Sequence, residues 1–440
     1  MSDMTLLIPY IIIMLVIWVI YSRRRKHHSN HNKGQLDTAI DSGMSEPASL
    51  HPLIDQSLCI GCGSCVDACP EKQVLGLIEG KAHLINPASC IGHGACQTAC
   101  PTNGITLVFG TEKRGVDIPR VSPSFETNVP GIYIAGELGG MGLIRNAVSQ
   151  GVEAVKSISQ RNTLKQPDQL DLIIIGAGPA GIAAALTAKA EGLSYTVLEQ
   201  DALGGTIAHY PRGKLVMTAP AKLPLVGDMH FKETTKEELM AFWEKISTEH
   251  QLNIDYHARV EQVTPKNPDP DATPGFDITT PHQHYACSNI LLAIGRRGTP
   301  RKLGVPGEDL PKVVYRLIDP EQYRGQHVLV VGGGDSALEA AWSIAEEPDT
   351  HVTLSYRSGG FSRAKAKNRE RVEANEQAGR LTVLLNSNTE QVSPSHVIID
   401  QKGQKITLEN DTVIVCAGGI LPTPFLKSIG IEVDTKFGTA

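Results

Sequence analysis

Leu172-Ile-Ile-Ile175-Gly176-Ala-Gly178-Pro-Ala-Gly181 leads into an alanine-rich stretch that runs to Gly192, and Tyr195-Thr-Val-Leu198 then ends on Glu199. In order, this is an apolar strand, a glycine turn, a helix, a second strand and an acid. Gly176 permits the turn, Gly178 lets a pyrophosphate approach backbone amides at the helix start, and Gly181 lets helix and strand pack closely. Glu199, 23 residues beyond Gly176, is placed to accept hydrogen bonds from an adenosine ribose. A glycine fingerprint alone is weak, but the strand before it and the acid after it specify a dinucleotide fold.

A second copy lies downstream: His327-Val-Leu-Val-Val331, Gly332-Gly-Gly334-Asp-Ser-Ala337, a helical stretch to about Glu347, then His351-Val-Thr-Leu-Ser-Tyr356-Arg357. No acid ends its second strand. Arg357 stands there, with Arg363, Lys365 and Lys367 close behind, and this basic set suits a 2′-phosphate, hence NADPH rather than NADH. A solvated basic loop is the alternative.

Around these two units, 440 residues leave room for two to four domains. A net charge of −6 gives no global basic field for nucleic acid, and 41% hydrophobic residues exclude disorder over most of the length. Thr5 to Tyr21 carries no charge; at about 1.5 Å per residue it spans roughly 25 Å, a marginal single membrane span. Arg23, Arg24, Arg25 and Lys26 follow it, so the positive-inside rule leaves the remainder in the cytoplasm. Polar residues from His27 to about Leu50 read as a flexible tether, and their histidines as solvated.

Seven of the nine cysteines fall between Cys59 and Cys100, and a reducing cytoplasm favours metal clusters over disulfides for them. Shifting the sequence by 31 residues exposes a repeat: Cys59-Ile-Gly-Cys62-Gly-x-Cys65-x-x-x-Cys69-Pro70 over Cys90-Ile-Gly-His93-Gly-x-Cys96-x-x-x-Cys100-Pro101. This module resembles bacterial dicluster ferredoxins over about residues 51–109. The resemblance implies that Cys59, Cys62, Cys65 and Cys100 hold one [4Fe-4S] cluster, and that Cys90, Cys96 and Cys69 are three ligands of the other. His93 stands where the fourth ligand belongs. Either it ligates, or the site holds a three-iron cluster and His93 points to solvent.

Gly204-Gly205, Leu291-Leu-Ala-Ile-Gly295, Gly332-Gly-Gly-Asp-Ser-Ala337 and Val413-Ile-Val-Cys-Ala-Gly418 together resemble the thioredoxin-reductase-like flavoproteins, the first fold implied to bind FAD and the second NADPH. His209-Tyr-Pro211 through Lys222, with Lys236-Glu-Glu-Leu239, is most similar to the bacillithiol-disulfide-reductase and ferredoxin–NADP reductase branches. In that family a closing motif delivers Ala-Gly-Asp to the flavin. Here it stands upstream instead, as Gly131-Ile-Tyr-Ile-Ala-Gly136-Glu137 followed by Ile144, Ala147 and a helix to about Ile158, so the resemblance implies a circularly permuted flavin domain in which Glu137 replaces the aspartate.

The expectation is an α/β chain of two nested Rossmann-like domains, for FAD and NADPH, with a small α+β dicluster ferredoxin domain and one N-terminal transmembrane helix. Its boundaries are a span at 5–21, a cytoplasmic linker at 22–50, the ferredoxin domain at 51–109 and a relocated flavin-domain segment at 110–160. The FAD domain follows at 171–310, the NADPH domain at 311–420 and a return to the FAD domain at 421–440. Thioredoxin reductases carry a C-x-x-C shortly before the second glycine loop, but residues 300–331 contain no cysteine, and Cys287 and Cys416 read as core residues. An internal dithiol relay is thereby excluded, and no catalytic side chain is identified. The function expected is electron transfer between NADPH, FAD and two clusters, to or from a redox protein or small-molecule acceptor, by a single-pass protein of the cytoplasmic membrane. Reduction of a low-molecular-weight disulfide at the flavin and a membrane redox sensor are the alternatives; the partner set also admits a homodimer.

Overall fold

The computed structural model describes residues 2–41, 47, 50–71, 73–90, 92–112, 114–140, 142–161, 169–218, 220–231, 233–266, 275–296, 298–361 and 364–439. They divide into two compact units, Met1–Val116 with Lys436–Ala440, and Asp117–Thr435.

The first unit opens with a single helix, Ser2–Asp41. The reading of His27 to about Leu50 as a flexible tether is therefore corrected as far as Asp41; residues 42–46, 48 and 49 lie outside the described residues. The apolar segment supplies a helix nucleus, and the Arg, Lys, Gln and Leu residues beyond it extend the helix at little cost per residue. Neighbours also hold it: Asn32 Nδ2 donates to the Leu77 carbonyl at 3.0 Å, and the Glu79 N–H donates to the Ser29 hydroxyl at 2.9 Å. The structure lends no support to a transmembrane helix over 5–21, because among the described residues no helix is long and apolar enough to cross a membrane. Described apolar side chains run from Tyr10 to Tyr21. At about 1.5 Å per residue that stretch covers roughly 18 Å of a ~30 Å core.

The ferredoxin-like part is built twice over. His51–Ile54 pairs antiparallel with Ile105–Val108, a hairpin joins Leu75–Ile78 to Lys81–Leu84, and two one-turn helices, Ser64–Asp67 and Ala95–Thr98, start after Gly63 and Gly94. Its core is a small cluster of Cys65, Val74, Leu75, Ala82, Cys96 and Ile105.

In the second unit, the strands Ile254–Asp255, Tyr195–Leu198, Leu170–Ile175 and His284–Leu292 lie parallel in that order, and Phe276–Thr279 and Gln262–Pro265 extend the sheet antiparallel. Ile132–Ile134 joins the same sheet, parallel to Ile290–Leu292. Such strands are covered on both faces, which is why they read as unbroken apolar runs. Leu172, Ile173 and Ile174 are all fully buried. The helix Ile144–Gln160 buries Val148, Gly151, Val152, Val155 and Ile158, an i, i+3, i+4 stripe, against Pro179–Ala190. The approach is close at Gly151, where a Cβ would lie 2.2 Å from the Ala180 carbonyl oxygen.

A second sheet is wholly parallel, in the order Val313–Val314, Thr412–Val415, His327–Val331, His351–Tyr356, Leu381–Leu385. An antiparallel meander follows it, Ser387–Val392, His396–Gln401 and Gln404–Glu409.

Candidate redox sites

Cys59, Cys62, Cys65 and Cys100 rim one cavity together with Ile54, Gly61, Ala82 and Pro101. These are the four thiols assigned to one cluster from the sequence. Burial first, and then the neighbouring Cys59, pushes the Cys65 thiol up to about 11. Cys62 and Cys100 are held below the usual thiol range by the hydroxyls of Ser64, 3.4 Å away, and Thr102, 3.5 Å away. The Ala82 N–H donates to Cys59 Sγ at 3.4 Å, the kind of contact that tunes a cluster's potential.

The second assigned site comprises Cys69, Cys90, Cys96 and His93, of which the three cysteines belong to the same small hydrophobic cluster. Burial, then Cys90, pushes Cys96 up to about 11; burial also raises Cys90 and Cys69, with Cys69 among the charges that Cys90 feels. His93 Nε2 lies 3.9 Å from Cys69 Sγ. Among the described residues no three His, Cys, Asp or Glu side chains converge as they would on a single ion. The donor sets are soft thiols in an apolar cage, which suits iron–sulfur clusters. Thiols held protonated by burial would exchange their protons for iron.

At the first glycine loop Gly176 and Gly181 have steric reasons. Gly176 has φ +105°, and a Cβ there would sit 2.6 Å from the Ala293 carbonyl oxygen; at Gly181 a Cβ would meet the Gly176 carbonyl oxygen at 1.8 Å. Gly178 caps the start of Pro179–Ala190. Glu199 is buried, its two oxygens accepting the N–H of Ala177 at 2.7 Å and of Asp201 at 2.8 Å. The Gly204 N–H donates to the Ala177 carbonyl at 2.9 Å, and Gly205 passes so near Gly178 that a Cβ on it would lie 3.2 Å from the Gly178 Cα.

The upstream segment converges on the same place. A Cβ on Gly136 would be 3.2 Å from the Ala180 methyl and 3.7 Å from the Ala147 methyl, so the starts of two helices meet there. The Gly136 N–H donates to Gln150 Oε1 at 2.8 Å. Glu137 opens the turn Glu137–Gly139 and is half-buried, as is Ile144 at the start of its helix.

At the second loop, Gly332 would place a Cβ 2.4 Å from the Cys416 carbonyl oxygen and 3.0 Å from the Ala337 methyl. Gly334 caps Asp335–Ala345, and the Asp335 carboxylate accepts the Lys365 N–H and Asn368 Nδ2, each at 2.8 Å. Arg357 is exposed just past the strand His351–Tyr356, with Lys365 and Lys367 exposed nearby in sequence; Arg363 lies outside the described residues. Cys287 and Cys416 pack into hydrophobic clusters, and burial pushes both thiols up to about 12.

Sequence reasoning missed the polar ties near the flavin loop. His209 Nε2 lies 3.2 Å from Asp201, Arg316 contacts His209 Nδ1, and Lys214 Nζ meets both Glu339 oxygens at 2.7 Å. Burial, then Arg316, lowers His209 from its ordinary pKa. No local pattern marks these pairs, because their members are more than 100 residues apart except for Asp201 and His209.

Two dinucleotide folds, each with its glycine loop, on the same chain as two sets of clustered thiols define an FAD-dependent NAD(P)H oxidoreductase carrying an iron–sulfur module. The chain belongs to the pyridine nucleotide-disulphide oxidoreductase family, which it matches over residues 173–438, and residues 51–101 match the 4Fe-4S dicluster domain. Bacilliredoxin reductase Bdr of Bacillus subtilis is 28% identical, over 60% of this chain and 82% of its own length. A ferredoxin–NADP reductase of Ignicoccus hospitalis is 29% identical, over 60% and 83%. The solved bacillithiol disulfide reductase Bdr of Staphylococcus aureus superposes with a TM-score of 0.52 at 27% identity, covering 61% of this chain and 82% of that one. The family match begins at residue 173, so the strand Ile132–Ile134 and the helix Ile144–Gln160 lie outside it.

Proposed function

We propose that this enzyme exchanges electrons between NADPH and a redox partner by way of FAD and two iron–sulfur clusters, at the cytoplasmic face of a membrane. The observation that carries the reading is the pairing, on one chain, of two thiol cages with two nucleotide loops, while no cysteine lies between Cys287 and Cys416 to form a dithiol relay. Bound FAD supplies the junction between a two-electron hydride donor and one-electron carriers.

The residues have distinct tasks. Gly178 and Gly205 keep the backbone bare where a pyrophosphate must approach, and Gly136, Ala147 and Ala180 keep the meeting point of two helix starts narrow. Glu199, already fixed by two backbone N–H groups, retains lone pairs for ribose hydroxyls. Arg357 presents an exposed guanidinium at the strand end where a 2′-phosphate would lie. The segment 110–160 closes the flavin domain from upstream, a reading that the pairing of Ile132–Ile134 with Ile290–Leu292 supports.

Membrane attachment rests on the sequence Thr5–Tyr21 and on the exposure of Tyr10 through Ile17, Trp18, Ile20 and Tyr21, which nothing in the chain covers among the described residues. A second reading, reduction of a low-molecular-weight disulfide at the flavin, draws on the similarity to the bacillithiol disulfide reductase. One experiment addresses both. The full chain, mixed with phosphatidylglycerol-containing vesicles, is expected to float with them and to reduce a one-electron dye with NADPH while leaving bacillithiol disulfide untouched. Failure to float removes the membrane from the proposal, and NADPH-dependent thiol release in place of dye reduction would establish the second reading.

A further inference from the structure

We infer that His93 is the fourth ligand of the second cluster, bonding through Nε2, so that the module pairs one all-thiolate cluster with one bearing an imidazole. The inference rests on the reading that both cages hold clusters and goes beyond it in assigning a ligand.

Three observations carry it. The first is register: the 31-residue offset that lays Cys59, Cys65 and Cys69 on Cys90, Cys96 and Cys100 lays Cys62 on His93. The second is backbone. Gly61 and Gly63 flank Cys62 at φ +68° and +84°, and Gly92 and Gly94 flank His93 at +73° and +79°. Gly63 and Gly94 then cap their helices at nearly the same ψ, −8° and −4°. Each loop is also pressed against a carbonyl, since a Cβ on Gly61 would lie 1.8 Å from the Gly80 oxygen and one on Gly92 2.5 Å from the Leu50 oxygen. A side chain replacing Cys62 by duplication is thus delivered along the same path.

The third is the partner. Cys62 lines one cavity with Cys100, the thiol that precedes Pro101, and His93 Nε2 lies 3.9 Å from Cys69 Sγ, the thiol that precedes Pro70. In both cages the middle residue of the loop faces the thiol donated by the other copy. His93 is half-buried and faces the cage, which is not the placement of a solvated surface imidazole.

The consequence is electronic asymmetry. Exchanging an anionic thiolate for a neutral imidazole removes one negative charge from the cluster's surroundings, and histidine ligation raises the potential of Rieske centres for the same kind of reason. The second cluster then holds an electron more tightly than the first, so it is the reservoir and the first is the carrier that exchanges more readily.

The test uses the full chain with its clusters assembled and needs no activity. Protein grown with 15N-histidine, partly reduced so that only the higher-potential cluster is paramagnetic, is examined by pulsed EPR. A strong 15N coupling is expected in the unsubstituted protein, and its loss is expected in His93→Cys together with a fall in that cluster's midpoint potential. Absence of 15N coupling, or a three-iron signal in the oxidised protein, would overturn the inference, as would a His93→Cys potential equal to that of the parent. Because the coupling is read on the unsubstituted chain, a variant that fails to assemble leaves the question answerable. Absence of any cluster signal would instead sink the underlying two-cluster reading.

Discussion

Glu199 has capacity for the proposed ribose as well as for its backbone partners, because a carboxylate has about four lone-pair sites. Two are taken by the N–H groups of Ala177 and Asp201, which lock the side chain at the end of its strand, and the others remain for a ligand. The acid was legible in the sequence from its spacing to Gly176, but its backbone bonds were not, since they depend on how tightly the loop folds back. Arg357 is the reverse case. The sequence placed it at a strand end and the structure leaves it exposed there, with only its position to recommend it. Charge-assisted phosphate bonds contribute about 1.5–3 kcal/mol each, so Arg357→Ala should raise KM for NADPH roughly ten- to a hundredfold and leave KM for NADH nearly unchanged. Equal losses for the two nucleotides in steady-state kinetics would assign Arg357 to the solvated surface instead.

At the scale of elements, the strands and glycine turns were legible because burial on both faces writes continuous apolar runs and because close contacts admit only glycine. The continuation of the N-terminal helix to Asp41 was not, because its residues are polar and it is held in part by Asn32 and Ser29, which bond the hairpin some 45–50 residues away. The relocation of Ile132–Ile134 and Ile144–Gln160 was read by motif, and the register Ile132↔Ile290 and Ile134↔Leu292 gives that reading a physical basis. A chain starting at Asp171 keeps both glycine loops but lacks these elements. It would expose the sheet edge beside Leu291 and the face of Pro179–Ala190 that Gly151 and Val155 cover. It should retain little FAD after gel filtration, whereas restoring residues 110–158 after Ala440 through a short linker should recover flavin binding. Stoichiometric FAD on the shortened chain, measured by absorbance, would show that the upstream elements do not complete the site.

For the molecule as a whole, the class of chemistry was legible from loops and cysteines, whereas the acceptor was not, since a partner is recognised by surfaces that no local pattern encodes. In the proposed function, nucleotide, flavin and clusters form one electronic path, whichever direction the physiological partner draws. The most direct measurement follows that path both ways under anaerobic conditions. The holoprotein, reduced chemically and freed of reductant, is mixed with NADP⁺ while cluster EPR and absorbance at the NADPH band are followed; oxidised holoprotein is mixed with NADPH in parallel. Exchange is expected in at least one direction, with cluster electrons lost or gained in proportion to NADPH formed or consumed, and it is expected to disappear when FAD is removed. Flavin that equilibrates with the nucleotide while the cluster signals stay fixed in both experiments would contradict it.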